Sequence, residues 1–474
     1  MSSTQERKFD RKERMKIPHT PYAVRPVEER VRDFDEIVIG YDAESAMREA
    51  SRCIQCPEPK CVAACPLDNN IKEALWLISE GDFLGAAQLY RQTSIFPEVC
   101  GRVCPQEKLC EGACPLGKRG EAPSLGALEM FVADYQRARA GWPLPETAPP
   151  TGKRAAVVGA GPAGLAVAES LARRGHSVTV YEAMPKAGGL LLYGISNFKL
   201  KKALVAEKIA QLERLGVEFI CNTRVGVDLN VDELFAAGFQ AVFLGVGANM
   251  DAKLRAPGVD LGGVYYSGEY LLRSTPPKEA LPSALHELPQ TGRKVAVIGG
   301  GDTASDCLRT ALRLGAEEVV CYYRRTEAEM PGSKKEREHA LEEGARIEYL
   351  VAPVAFTDDG SGHVRAVTLQ RMQLGEPDSS GRRRPVPIEG SEFNMPVDTV
   401  VLALGYWPDE TIGKTTPELE THDWGLISAD PDSGRTSRAG VFAGGDAVTG
   451  PDLVSTAVAA GLRAAKAMHA YLMR

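Results

Sequence analysis

Beyond Thr151 the chain alternates short apolar runs with longer amphipathic stretches. Ala155-Ala156-Val157-Val158 is one such run. A glycine turn follows, residues 165–174 carry helical spacing, Gly175 stops them, and Val178-Thr179-Val180-Tyr181 is the next run. The same texture returns 140 residues later, with Val295-Ala296-Val297-Ile298, a second glycine turn, helical spacing over 305–314, Gly315, and an apolar run over 319–323. Strand, turn, helix and strand in that order predict parallel α/β structure. A repeat offset this long is no solenoid and predicts two nucleotide-binding domains. A third segment, Gly440-Val441-Phe442-Ala443-Gly444-Gly445-Asp446-Ala447, reads as a strand ending in Gly-Asp, and 452–465 reads as the helix after it. Ahead of Thr151 the pattern differs. Ile71, Leu75, Leu77, Ile78, Phe83, Ala87 and Tyr90 recur at helical spacing, and the Pro-rich stretch 142–150 reads as a linker. We therefore expect an α/β protein: a helical N-terminal domain (1–150), then two Rossmann-like domains, the first in two parts (151–290 and 401–474) with the second (291–400) inserted into it. The polar stretch 375–384 reads as an exposed hairpin, with Arg382, Arg383 and Arg384 as a solvated charge run.

Composition changes this picture little. The chain has 474 residues, 44% hydrophobic and 25% charged, with a formal net charge of −7. Such a balance excludes disorder and gives no global reason to seek nucleic acid or an anionic membrane. The N-terminus is basic (Arg7, Lys8, Arg11, Lys12, Arg14, Lys16) but interleaved with acids, and no apolar segment follows. The expectation is a cytoplasmic protein with no membrane span.

The cysteines change it a great deal. Eight of eleven lie between Cys53 and Cys114, spaced Cys53-x2-Cys56-x4-Cys61-x3-Cys65-Pro66 and Cys100-x3-Cys104-x5-Cys110-x3-Cys114-Pro115. Thiolates crowded into short loops, each run closed by Cys-Pro, suit iron–sulfur clusters, and the last cysteine of a run often ligates the other cluster. Zinc and disulfides are the alternatives. Zinc favours repeated CxxC pairs, and only one occurs here. Disulfides belong to oxidising compartments. Two 4Fe-4S clusters are the favoured reading.

The two glycine turns differ in what ends the following strand. Gly159, Gly161, Pro162, Ala163 and Gly164 form the first, and Glu182 stands 18 residues beyond Gly164. A carboxylate there accepts from ribose hydroxyls, while the glycines admit a pyrophosphate to a helix N-terminus. Gly188, Gly189 and Leu190 form a second close-approach loop. Gly445 and Asp446 would face a flavin ribityl chain, and the helix start at Ser455-Thr456-Ala457 would point its dipole at the flavin ring, so the first domain is expected to bind FAD through these residues. The second turn comprises Gly299, Gly301, Asp302, Thr303 and Ala304, but Arg324 and Arg325 replace the acid. Guanidinium groups attract the 2′-phosphate of NADPH, which a carboxylate would repel. The alternatives are a purely structural glycine turn and an arginine pair that is only surface charge.

Together these segments resemble the small (beta) subunits of NADPH-dependent bacterial glutamate synthases. The likeness runs nearly end to end through Pro97-Glu98-Val99-Cys100-Gly101-Arg102-Val103-Cys104-Pro105, both glycine turns, Gly188-Gly189-Leu190-Leu191, Phe243-Leu244-Gly245-Val246-Gly247, Met330-Pro331-Gly332-Ser333 and Ala443-Gly444-Gly445-Asp446. One departure is Ser196, where such chains usually have proline, and it touches loop rigidity only. The resemblance implies oxidation of NADPH at FAD. It also implies electrons leaving through 4Fe-4S clusters to FMN in a large (alpha) subunit that carries the glutaminase domain and makes glutamate from glutamine and 2-oxoglutarate, in a hetero-oligomer. The same module resembles the N-terminal part of dihydropyrimidine dehydrogenase, where ligands cross between the two cysteine runs. Carried over, that implies Cys53, Cys56, Cys61 and Cys114 for one cluster, and Cys65, Cys104, Cys110 and Glu129 for the other, with Cys100 spare. It also resembles a subunit of electron-bifurcating ferredoxin:NADP oxidoreductases, which is the alternative enzyme reading. A non-catalytic redox sensor is the alternative from another class, and two complete dinucleotide sites argue against it.

Overall fold

A computed structural model describes residues 9–378 and 381–474. Arg7 and Lys8 of the basic N-terminus, and Ser379 and Ser380 of the expected hairpin, lie outside the described residues. The chain forms two units. One comprises the chain up to Arg25, Ile37–Pro145 and Leu453–Ala459, and the other Pro26–Glu36, Glu146–Asp452 and Ala460–Arg474.

The first unit is helical, with Ala43–Ala50, Ile71–Ser79, Phe83–Arg91, Pro97–Val103 and Leu125–Ala140 as its main helices. The apolar spacing over 71–92 resolves into two helices, because Gly81 takes a left-handed φ of +81° and Asp82 caps the second by accepting from the Gly85 N–H at 2.9 Å. Leu75, Ile78, Tyr90, Leu128 and Val132 are buried together, and Cys53, Cys61, Cys65 and Cys110 pack at the edge of that core.

The second unit holds two parallel five-stranded sheets. In the first, the strands run Val441–Ala443, Ala241–Leu244, Arg154–Val158, Ser177–Tyr181 and Glu218–Ile220. In the second they run Arg346–Tyr349, Glu318–Tyr323, Lys294–Ile298, Thr399–Leu402 and Val264–Tyr266. Each places its glycine turn at the carboxyl end of a central strand, beside the point where strand order reverses. That is where doubly wound sheets bind ligands. Val441–Ala443 completes the first sheet only after the second is finished, so the second is inserted into the first.

Three boundaries differ from the sequence reading. The second sheet includes Val264–Tyr266, paired in parallel with Thr399–Leu402, so the insertion begins before 264 and not at 291. Three residues are too few to show a strand period, which is why this one was illegible. Residues 26–36 belong with the nucleotide unit, because buried Arg30 meets Glu343 at 3.0 Å in an ionic cluster with Arg309 and Arg313. The Ser196-containing loop joins the same cluster, with the Phe198 ring 4.2 Å from the Arg309 guanidinium and 4.3 Å from that of Arg313. Finally, residues 453–459 group with the cysteine unit, although 401–474 was expected to belong wholly to the FAD domain. Among the described residues, no helix is long and apolar enough to cross a membrane.

Candidate functional site

The first glycine turn is built by exclusion. A Cβ on Gly164 would stand 2.0 Å from the Gly159 carbonyl oxygen, and one on Gly159 would stand 2.3 Å from that of Gly245. Gly161 faces open space at the N-cap of the helix Pro162–Arg173, with Pro162 at its first position. Ala163 is buried beneath, where Gly461 lets the C-terminal helix pass within 2.3 Å (Cβ to the Ala163 carbonyl oxygen). The result is a helix start left open at Gly161, the approach a pyrophosphate needs. Glu182 lies under the turn, 7% exposed, and accepts from the N–H groups of Ala160 and Met184, both at 2.9 Å. Burial raises its carboxyl above the ordinary range, against those bonds. Each oxygen keeps a lone pair for a ribose hydroxyl. Gly189 lies against Gly161 (2.6 Å from a Cβ to the Gly161 Cα), and Gly188 is beside it. Leu190 opens a short helix and is exposed. Gly445 takes a φ of +69° at the start of the turn bearing Asp446. Burial pushes the Asp446 carboxyl up to about 7. The Thr456 hydroxyl accepts from the Leu453 N–H (3.1 Å) and donates to its carbonyl (2.7 Å), closing the helix start, and Ala457 is buried.

The second turn repeats the device. A Cβ on Gly299 would stand 2.1 Å from the Ala403 carbonyl oxygen, and Gly301 faces open space before the helix Asp302–Arg313. Asp302 is turned away from a ligand's path: its carboxylate accepts from the Ser333 N–H at 2.7 Å. The Gly332 N–H donates to the Gly300 carbonyl at 3.1 Å, so Met330-Pro331-Gly332-Ser333 is a strap over the turn. Thr303 reaches the Tyr406 hydroxyl, and Ala304 lies in the core. The strand end separates the two arginines. Arg324 is exposed, whereas Arg325 is buried and bound to Asp378 at 2.9 Å.

In the cysteine unit, Gly101 decides the geometry. A Cβ there would stand 2.6 Å from the Met130 nitrogen and 2.8 Å from the Gly126 carbonyl oxygen, so the helix carrying Cys100 and leading to Cys104 lies directly on the helix carrying Glu129. Two groups result. Cys53, Cys56, Cys61 and Cys114 face one another, and burial with mutual repulsion pushes Cys53 up to about 11 and Cys61 to about 12. Cys65, Cys104, Cys110 and Glu129 form the other, with Cys100 beside Cys104. Desolvation holds the Glu129 carboxyl well above its usual range, with Cys104 the next cause. Cys104 is held low by the Cys100 thiol and, less strongly, by the Ser455 hydroxyl. Ser455 thus stands beside a candidate ligand, a placement no local motif announces. Thiols so poorly solvated gain most from cationic partners. Among the described residues no three His, Cys, Asp or Glu converge as a single ion requires. Thiolate-rich sets of four drawn from both cysteine runs suit 4Fe-4S clusters.

Comparison with known proteins agrees with this division. Residues 30–141 match the family described as dihydropyrimidine dehydrogenase domain II, 4Fe-4S cluster, and residues 153–461 match pyridine nucleotide-disulphide oxidoreductase. The glutamate synthase [NADPH] small chain of Escherichia coli K12 is 39% identical over 97% of each chain. The chain belongs to the glutamate synthase small-chain family. The putative oxidoreductase AegA of E. coli K12 is 45% identical over 94% of this chain and 68% of its own length. Among solved structures, Mycobacterium tuberculosis FprA in complex with NADPH shares the fold of 69% of this chain and 85% of its own, at 21% identity and a TM-score of 0.58. As a small-chain family member with a pyridine nucleotide-disulphide oxidoreductase domain, the chain is an oxidoreductase.

Proposed function

We propose that this chain is the electron-input subunit of a glutamate synthase, oxidising NADPH and delivering electrons through two 4Fe-4S clusters to FMN in a large subunit. The observation that carries this reading is the 39% identity with the E. coli small chain over 97% of each chain. The geometry supports it. Gly159–Gly164 and Glu182 would hold FAD by its pyrophosphate and ribose, with Asp446 against the ribityl hydroxyls. Gly299, Gly301 and Arg324 would hold NADPH, with Asp302 and Ser333 keeping the strap closed. FAD, when bound, supplies the conversion of two-electron hydride chemistry into single-electron steps. The protein's part is to stack the two rings and exclude water, so no side-chain acid or base is required. Cys53, Cys56, Cys61 and Cys114 would hold one cluster and Cys65, Cys104, Cys110 and Glu129 the other.

Mixing the chain with the large FMN subunit tests this directly: NADPH-dependent glutamate formation from glutamine and 2-oxoglutarate is expected. Absence of association with that subunit overturns it. Cys61→Ala should lose one cluster and collapse glutamate formation, while FAD content and NADPH-driven reduction of an artificial dye stay within about twofold, since the glycine turns belong to the other unit. Full synthesis by an assembled complex shown to lack that cluster would refute the relay. Iron content and EPR test the crossing: Glu129→Ala should alter one cluster and Cys100→Ala neither.

The similarity to the NADPH-Fe(3+) oxidoreductase subunit beta of Geobacter sulfurreducens favours one other reading, in which the same module serves a different electron acceptor, as in a ferredoxin-linked or bifurcating oxidoreductase. Co-purification with a small ferredoxin-type partner instead of a glutaminase would select it.

A further inference from the structure

The segment after the Gly188–Leu190 loop is tied to the helix that opens at the second glycine turn. Gly188 and Gly189 lead into the short helix Leu190–Tyr193, and the chain then crosses to Lys199. The Lys202 ammonium staples this segment to itself, donating to the carbonyls of Leu191, at 2.8 Å, and Ile195. At its far side Lys199 Nζ meets Asp306 Oδ1 at 3.1 Å and Glu336 Oε2 at 3.6 Å, each side chain at most 13% exposed. Asp306 stands four residues beyond Asp302 on the helix Asp302–Arg313. That is about one turn, or about 6 Å, from the end that would receive the nucleotide. One buried ion pair thus joins the loop proposed to hold the flavin to the helix proposed to hold NADPH.

The pair is braced from behind. Arg309 Nη1 donates to Glu336 at 2.7 Å, and its Nε and Nη2 donate to Glu343 at 3.0 Å each. Arg313 also holds Glu343, at 2.7 Å. Residues 26–36 close the far side. Arg313 donates to the carbonyls of Arg30 at 2.7 Å and Asp33 at 2.8 Å. The Phe34 ring lies 6.4 Å from that of Phe198, and Lys201 Nζ meets Glu36 at 3.3 Å. This one segment therefore touches the first domain at Phe198 and Lys201 and the second at Arg313 and Glu343. Buried ion pairs add little net stability, since desolvation offsets their attraction, so the geometry such a network fixes is the better account of it. Hydride transfer is sensitive to geometry: a misplacement of about 1 Å costs about 100-fold in rate.

We propose that Lys199 and Asp306 are positioning residues for hydride transfer. Their pair, braced by Arg309 and by residues 26–36, sets the spacing between the Gly188–Leu190 loop and the Gly299–Ala304 turn, and so between the flavin and nicotinamide rings. This rests on the assignment of FAD and NADPH to those two sites. Neither residue exchanges a proton or an electron; the hydride passes whole from NADPH to FAD.

The test is stopped-flow reduction of the full-length, FAD-loaded protein by saturating NADPH. FAD content and calorimetric binding of adenosine 2′,5′-bisphosphate, which carries the adenosine end of NADPH but no nicotinamide, are measured alongside. Lys199→Met should slow flavin reduction roughly 30- to 100-fold while FAD content and the bisphosphate Kd stay within about twofold. The long-wavelength absorbance of a nicotinamide stacked on the flavin should weaken in step. Lys199→Arg, which can reach the same carboxylates, should recover most of the rate. Asp306→Asn approaches the pair from the other side and keeps its shape. It leaves Lys199 to Glu336 alone and should slow reduction about tenfold, which carries the test if Lys199→Met does not fold. Unchanged reduction in either variant overturns the proposal. So does a loss of FAD or of bisphosphate binding large enough to account for the slowing, or a Lys199→Arg protein as slow as Lys199→Met. If NADPH does not reduce the flavin of the unaltered protein, the assignment of the two sites fails and the proposal with it.

Discussion

The two parallel sheets begin alike and finish differently. Each has a four- or five-residue buried strand, a glycine turn whose carbonyls exclude any Cβ, and a twelve-residue helix opening on an extended glycine. At the end of the next strand the first sheet buries an acid and the second exposes a base. Glu182 sits under the turn with its carboxylate wired to two backbone N–H groups, so the turn and the ribose reader form one rigid piece. Arg324 stands in solvent, and its neighbour depends on a hairpin 53 residues away. A buried, interlocked reader suits a cofactor that stays. An exposed base suits one that exchanges every turnover. On the proposed assignment, the charge at the strand end selects the nucleotide, while its burial sets how long the nucleotide remains.

The largest expected effect comes from breaking the resident side. Glu182→Ala removes the acceptor for the buried Ala160 N–H and the half-buried Met184 N–H, a buried one costing about 1–3 kcal/mol when orphaned. FAD affinity should fall at least 100-fold, so that the protein loses most of its flavin on dialysis, read from the visible absorbance of the retained fraction. The fold of the second sheet should persist, and adenosine 2′,5′-bisphosphate should still bind. Retention of stoichiometric FAD by the variant would show that Glu182 only braces the turn.

The exchanging side predicts a smaller effect. A Cβ at Gly332 would stand 3.0 Å from the Gly301 carbonyl carbon and 3.2 Å from the Asp302 nitrogen, tight contacts with backbone that cannot swing aside. Gly332→Ala should lift the strap from the turn and raise the KM for NADPH roughly tenfold, at about 1–2 kcal/mol of strain. NADH should lose equally, because the strap lies over the turn both nucleotides share. A loss confined to NADPH would instead place the strap at the 2′-phosphate.

The sequence made much of this legible and left the rest dark for a physical reason. Glycine turns and short cysteine runs are local devices whose ligands lie within a few residues, so spacing alone exposes them. Glu182 was readable for the same reason, since one strand and one helix fix its distance from Gly164. What stayed hidden is long-range. The Arg325–Asp378 pair spans 53 residues, and Arg30 meets Glu342 across 312. Ser455 reaches Cys104 from the far end of the chain. Polar residues with such distant partners look like solvated surface in a linear reading.

The smallest expected effect sharpens the comparison at the opposite ends of the same strands. His176 follows the helix-stopping Gly175 in the first sheet, where Ala316 follows Gly315 in the second. Its ring bonds Thr151 Oγ1 at 2.7 Å and His469 of the C-terminal helix at 2.7 Å, so the strand that ends at Glu182 is latched to that helix at its start. Burial, then the His469 charge, then Arg174 and Lys153 lower the His176 pKa to about 4 from 6.5. The unfolded chain therefore binds a proton that the folded one refuses, and stability is full above about pH 6.5 and declines as pH falls toward 4. Between pH 7.5 and pH 5 the latch should lose roughly 1 kcal/mol, lowering Tm by about 2–4 °C. His469→Gln removes the repelling partner and keeps a hydrogen-bonding group, so the pH-dependent part of the fall should shrink by about half. Other acid-sensitive groups, Asp446 and His339 among them, act equally in both proteins and cancel in the difference between the two pH profiles. Identical profiles would show that burial alone holds His176 neutral and that the latch carries no charge coupling.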